Sequence, residues 1–305
     1  MLARYLRLLL ALQFATFAAL AVYAFDLSPS SGVLAALAGM LLLPAGITLA
    51  TYALAWPYYS RASHLSPWQV LRMVCGDFLA LVIHFVIISP LESWWMGADR
   101  LPGTSRQPGA RPPLLLVHGY GCSRAVWWYL RRCLQAAGWT VATINLEPIY
   151  TSIDDYLDPL AARIDAVLAD TGAERLILVG HSMGGLVARA YLQRYGEAQV
   201  AALLTLGTPH QGSRLAYLGC GESARQMRPG SPWLQALARP TVATWLIYSR
   251  HDNYVTPQSN LTLPGIPGQA LDSLGHVAML LSPRVVQAAL AALATLCPSA
   301  GIADV

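Results

Sequence analysis

The chain has 305 residues, with 20 basic and 16 acidic side chains, 55% hydrophobic and 12% charged. The charged share is about half that of an ordinary soluble domain. These figures exclude a disordered or low-complexity chain and argue against a purely soluble one. A net charge of +4 with no basic run gives no support for a nucleic-acid partner.

The charge is unevenly spread. Residues 1–91 contain only Arg4, Arg7, Asp26, Arg61, Arg72 and Asp77. Leu8 to Phe25 and Gly32 to Trp56 are free of charge and long enough to cross a bilayer. A third apolar stretch, Met73 to Leu91, carries Asp77 and His84. A cleaved signal peptide is the alternative for the first stretch. The second apolar run follows so closely that a helical hairpin explains both. Arg4 and Arg7 precede span one, and Arg61 and Arg72 lie between spans two and three. The positive-inside rule then puts the N-terminus and second loop in the cytoplasm. Three spans place all that follows on the outer, periplasmic side of a bacterial inner membrane; two leave it in the cytoplasm. The expectation is three. Asp77 and His84 share a helix face, and intramembrane ionisable groups are functional candidates. The preferred reading is plainer: Asp77 near the interface and His84 packed neutrally. Trp94 and Trp95 fit an interfacial anchor, and Gly97 to Pro113 reads as a linker.

From residue 113 the pattern changes. Strands are predicted at Leu114–Val117, Thr140–Ile144, Leu176–Val179, Val200–Leu206 and Ala243–Tyr248. Helices are predicted at Ala125–Ala137, Ile153–Asp170, Met183–Tyr195 and Pro283–Leu296, with Ser152 a candidate N-cap. This alternation predicts an α/β domain, a mostly parallel sheet with helices on both faces. The division expected is a membrane region over 1–91, a linker over 92–112 and a catalytic domain over 113–300.

Gly180-His181-Ser182-Met183-Gly184 is a G-x-S-x-G sequence set between a predicted strand and a predicted helix. That context suits a nucleophile elbow, with Ser182 Oγ exposed at the sheet's C-terminal edge. The Met183 N–H opens the helix, where the dipole favours negative charge. A serine nucleophile needs a base, and the base needs an orienting acid, in the chain order Ser, acid, His. Asp252, just past the last predicted strand, is the expected acid, and His276, in a loop before the last helix, the expected base. Asp272 is the rival acid, too near His276 to be presented from a separate strand. His251 reads as a neighbour. The second oxyanion donor is the backbone N–H of Tyr120, in Val117-His118-Gly119-Tyr120-Gly121, where His118 reads as structural. No metal-ligand or redox spacing appears among Cys75, Cys122, Cys133, Cys220 and Cys297. A Cys122–Cys220 disulfide is an option only for an outward-facing domain.

His118-Gly119-Tyr120-Gly121, Gly180 to Gly185 and Leu206-Gly207-Thr208-Pro209-His210-Gln211-Gly212-Ser213 resemble the bacterial triacylglycerol lipase and esterase branch of the α/β-hydrolase superfamily, over about residues 112 to 297. The resemblance implies an α/β-hydrolase fold and cofactor-free ester hydrolysis through an acyl-enzyme. It also implies the Gly-Thr-Pro-His stretch lying beside the site. The apolar N-terminal region departs from the usual secreted lipase. The residues between Gly212 and Pro240 read equally as a lid or as a packed loop. Trp127 and Trp128 read as helix packing. The function expected is a membrane-anchored serine hydrolase of lipids or lipophilic acyl esters. Its partners are that substrate and the bilayer. An acyltransferase, a thioesterase or an inactive membrane scaffold are the alternatives. Oligomeric state and acyl-chain length are open.

Overall fold

The computed structural model describes residues 1–60, 64–101 and 111–297. Arg61, residues 102–110 of the linker and the last residues assigned to the catalytic domain lie outside them. Six strands form one parallel sheet in the order β2-β1-β3-β4-β5-β6. They are β1 Leu114–Val117, β2 Val141–Ile144, β3 Leu176–His181, β4 Val200–Leu206, β5 Ala243–Ser249 and β6 Gly268–Leu271. β1 to β4 are apolar and buried along nearly their whole length, as strands covered on both faces must be.

The helices are α1 Leu2–Ala19, α2 Pro29–Gly39, α3 Leu42–Ala55, α4 Pro67–Leu81, α5 Glu92–Met96, α6 Trp128–Ala136, α7 Leu157–Thr171, α8 Met183–Tyr195, α9 Gly221–Gln226, α10 Pro232–Ala236 and α11 Pro283–Leu296. Helices α7 and α8 close one apolar core over the sheet; α6 and α11 close a second on its other face. Local chemistry sets the ends. A Ser66–Gln69 capping box and Pro67 open α4. Ser152 with Asp155 caps the turn that leads into α7, and Gly172 ends α7 in the left-handed region.

Three N-terminal helical runs are long and apolar enough to cross a membrane: Leu2–Ala24, Pro29–Tyr58 and Pro67–Met96. They are not equivalent. A Cβ on Gly39 would meet the Phe17 ring at 2.5 Å, and one on Gly32 would meet Val22 at 2.8 Å. The first two runs therefore pair as an antiparallel hairpin. Both ends of that hairpin touch the α/β region. The Met1 amino group pairs with Glu147, and Tyr59 Oη donates to the His251 carbonyl at 3.2 Å.

The third run lies against the α/β region. Met73, Asp77, Ala80, Leu81, His84 and Ile88 form one buried stripe. Leu81 packs with Val277, and Ile88 and Met96 join the core beneath α6 and α11. One face of the run read from sequence as a third span thus packs on the α/β region, and the run is still long and apolar enough to cross a membrane. Asp77, expected near a membrane interface, is fully buried against protein. His84 is buried too, as read. Trp94 is exposed, whereas Trp95 packs edge-on against Trp128.

The stretch after α5 is not a free linker where it is described. Asp99 accepts from the Thr143 N–H at 2.7 Å and from Arg163 at 2.7 Å, and it also pairs with Arg124 and Arg131.

Candidate active site

The strand order reverses between β1 and β3, which are neighbours although β2 intervenes in sequence. A crevice opens at such a switch point beyond the strands' C-terminal ends. Ser182 follows β3 there, and Gly119 and Tyr120 follow β1. Ser182 has φ 53° and ψ −126°, a strained conformation for a residue with a Cβ. Glycines permit the turn. A Cβ on Gly180 would stand 2.5 Å from Gly185 Cα, and one on Gly184 would stand 2.1 Å from the Val117 carbonyl oxygen. Neither position has room for any side chain.

Asp252 and His276 meet across 24 residues of chain. Asp252 Oδ2 lies 2.6 Å from His276 Nδ1. Its Oδ1 accepts the N–H groups of Tyr254 and Val255, each at 2.8 Å. The carboxylate is fully buried, with both oxygens occupied. Burial pulls His276 down in pKa, but the charge and hydrogen bond of Asp252, with Asp77 behind it, hold it above its ordinary value. The ring stacks on Tyr254 at 5.1 Å and lies 4.8 Å from His181. Among the described residues no hydrogen bond joins Ser182 Oγ to His276. Such contacts are commonly long in an unliganded site.

The other candidates lie apart. Asp272 is half exposed and pairs with Arg250 at 2.8 Å. His251 lies 3.7 Å from Asp272 and beside the Tyr59 ring. His118 is locked: Nε2 accepts the Leu146 N–H at 2.9 Å, and Nδ1 meets the Gly119 carbonyl at 2.9 Å. Burial lowers its pKa to about 4. His210 is buried against Thr205. Tyr120 has no partner for its N–H among the described residues, and Met183 is the first residue of α8, whose N–H lacks an intrahelical partner. Cys122 and Cys220 are free thiols.

Ser182 lies where two cavities meet. One, of about 210 Å³, is lined by Ser213, Leu215, Met227 and Val255. The other, of about 560 Å³, also holds His276 and Tyr120. Its far wall comes from the N-terminal helices: Ile47, Ala50, Thr51, Leu54, Leu81 and Phe85. Sequence reasoning missed this wall, because nothing local ties residue 47 to residue 182. The segment after Gly212 covers the smaller cavity and is pinned. Tyr120 Oη donates to the Cys220 carbonyl and accepts its N–H, each at 2.7 Å. Leu218 is nonetheless 70% exposed at the cavity mouth. Trp127 is core and Trp128 packs against Trp95, as read.

A family model described as "alpha/beta hydrolase fold" matches residues 112–219. Over these residues the chain is similar to that family. A triacylglycerol lipase of Pseudarthrobacter phenanthrenivorans is 37% identical over 116 residues, 35% of this chain and 35% of that lipase. One of Burkholderia plantarii is 37% identical over 116 residues, covering 35% of this chain and 32% of that protein. The match thus spans about a third of these relatives' length. Among solved structures, the mature Bacillus licheniformis lipase BlEst2 aligns at a TM-score of 0.55 and 19% identity, over 63% of this chain and 98% of that one. Aspergillus fumigatus lipase B aligns at 0.57 and 14% identity, over 93% and 88%. At such identities the structures show a shared α/β-hydrolase fold.

Proposed function

We propose that the protein is a membrane-attached serine hydrolase of lipophilic carboxylic esters. The observation that carries this is the strained Ser182 sharing a cavity with His276, whose Nδ1 lies 2.6 Å from Asp252. His276 takes the Ser182 proton as Oγ attacks the ester carbonyl. Asp252 fixes the imidazole tautomer and stabilises the imidazolium. The Tyr120 and Met183 N–H groups hold the oxyanion. His276 then returns the proton to the leaving alkoxide, and water, activated by the same base, releases the acid. No cofactor enters this sequence.

The lipophilic substrate follows from the wall of Ile47, Leu54, Leu81 and Phe85. The lipase relatives support the same class. A thioesterase or an acyltransferase would run through the same acyl-enzyme.

The membrane region (1–91), linker (92–112) and catalytic domain (113–300) are kept in this reading, with Ser89–Met96 packed on the domain. Attachment is through the hairpin of the first two apolar runs. Contacts of Met1 with Glu147 and of Tyr59 with His251 support a catalytic domain on the same side as the N-terminus and second loop. The Arg distribution makes that side the cytoplasm. This reading differs from the outward orientation expected from three spans.

Hydrolysis of short- and long-chain p-nitrophenyl esters by detergent-purified protein tests the proposal, beside Ser182→Ala. Activity lost in the variant is the expected result. Equal rates in both proteins would exclude Ser182 as nucleophile, and a chain-length preference for short esters alone would sink the lipophilic class.

A further inference from the structure

The proposed mechanism leaves one buried carboxylate unused. Asp77 lies in the middle of α4, with no exposed surface. Its Oδ1 accepts two backbone N–H groups, from Val277 at 3.0 Å and Ala278 at 2.8 Å. Its Oδ2 accepts Asn253 Nδ2 at 2.9 Å. Asn253 directly follows Asp252, and Val277 directly follows His276. One carboxylate thus grips the acid loop and the base loop together.

The grip continues through Asn253. Its Oδ1 accepts the His276 N–H at 2.9 Å, and its Nδ2 also reaches Thr51 Oγ1 in α3 at 2.8 Å. Gly275, before His276, is pressed from the same side. A Cβ there would stand 2.5 Å from Asp77 Cγ and 2.4 Å from Tyr52 Oη. The residues flanking His276 are therefore held from outside the hydrolase fold. The Val277 and Ala278 N–H groups open the helical turn Ala278–Leu281, so Asp77 serves as a cap supplied 200 residues away. Three N–H donors on one carboxylate are charge-assisted and directional. Left without an acceptor, each buried donor would carry its full desolvation penalty.

Resting on the serine hydrolase reading, we propose that Asp77 is a positioning residue that sets the acid and base loops in register through its hydrogen bonds to Asn253, Val277 and Ala278. The N-terminal helices are in this sense part of the catalytic apparatus as well as its attachment. Asp77 touches neither substrate nor the reacting atoms. It acts through His276 and Asp252, whose 2.6 Å contact requires both loops to be in place.

The test uses the full chain in detergent. Asp77→Asn keeps the shape but turns an N–H₂ toward the Asn253 amide, donor against donor. The expected result is a kcat lower by about 10²-fold with KM changed by less than about twofold. The acid limb of the pH profile should move to lower pH, because a negative charge behind His276 is gone. Amide exchange at Val277 and Ala278 should speed up. The reciprocal swap, Asp77→Asn with Asn253→Asp, restores a donor facing an acceptor and should recover most of kcat. Wild-type kcat in Asp77→Asn would overturn the proposal. So would a loss of kcat that leaves exchange at 277 and 278 unchanged or that the swap fails to recover. If Asp77→Asn does not fold, the swap decides: active supports, folded but inactive overturns. A wild type that hydrolyses no ester would sink the hydrolase reading instead, and the exchange measurement would still read the latch.

Discussion

Ser182 holds a backbone conformation that a residue with a Cβ takes only when its surroundings enforce it. The enforcement is legible in sequence, because Gly180 and Gly184 bracket it where no other residue fits. The orienting acid was legible more weakly. Asp252 and Asp272 both precede His276, and only their positions relative to the strands separate them. The structure adds two N–H donors on Asp252 and a surface Arg on Asp272. Asp252→Asn removes the charge with little change of shape. It should lower kcat by about 10⁴-fold while the protein still folds, as loss of the acid does in other triads. Rates against temperature-matched unfolding curves would check this; a kcat within about tenfold of wild type would remove Asp252 from the mechanism. Wild-type kcat/KM should rise with pH through a midpoint above the ordinary histidine value of 6.5, since the base must be neutral and His276 is raised. In Asp252→Asn that midpoint should fall. The same shift stabilises the fold at pH below 6.5, where the folded imidazole holds its proton more tightly than the unfolded one, and that contribution fades as pH rises through the folded value.

At the scale of elements, β1 and β4 fall on the predicted residues, as do α8 and α11. Their signals are local: buried apolar runs for the strands, a stop at Gly196 for α8 and a start at Pro283 for α11. β6 had no such signal. Gly268-Gln269-Ala270-Leu271 is an edge strand, mostly exposed, without alternation or β-branched residues. Its partner β5 makes it a strand. The segment after α5 shows the opposite error. Its composition reads as linker, yet Asp99 is buried among Arg124, Arg131, Arg163 and Thr143. That carboxylate fastens the chain leaving the helical region to β2 and to helices α6 and α7. Asp99→Ala would leave three guanidinium groups, none fully exposed, without their common anion. The expected cost is about 3 kcal/mol, from loss of one partner in a largely buried ion network. Urea unfolding followed by tryptophan fluorescence would measure it, and a midpoint equal to wild type would refute this account of the network.

At the scale of the molecule, hydropathy alone treats three apolar runs alike. Packing separates them. The hairpin of Leu2–Ala24 and Pro29–Tyr58 has most of its surface free, while Pro67–Met96 spends a face on the α/β region. On the proposed reading of two crossings, the α/β region shares a side with Arg4 and Arg7. Protease added to intact spheroplasts should therefore leave the domain whole, and lysis should expose it. Degradation before lysis would reverse the orientation and restore the third crossing.

The sequence by itself determined what short-range chemistry governs. A strand, G-x-S-x-G and a helix in succession specify the elbow. Apolar runs of bilayer length specify helices with a lipid-compatible surface. The chain order of Ser182, Asp252 and His276 narrows the site to three side chains. Tertiary structure alone decided what depends on contacts across 100 to 200 residues. It decided that Asp77 bonds the loops that carry Asp252 and His276, that α3 walls the larger cavity, and that one face of the third apolar run packs on the α/β region. The reason is physical. An apolar helix face has the same composition whether it meets acyl chains or a protein core, and a buried carboxylate is identified by its donors, which the local sequence does not contain.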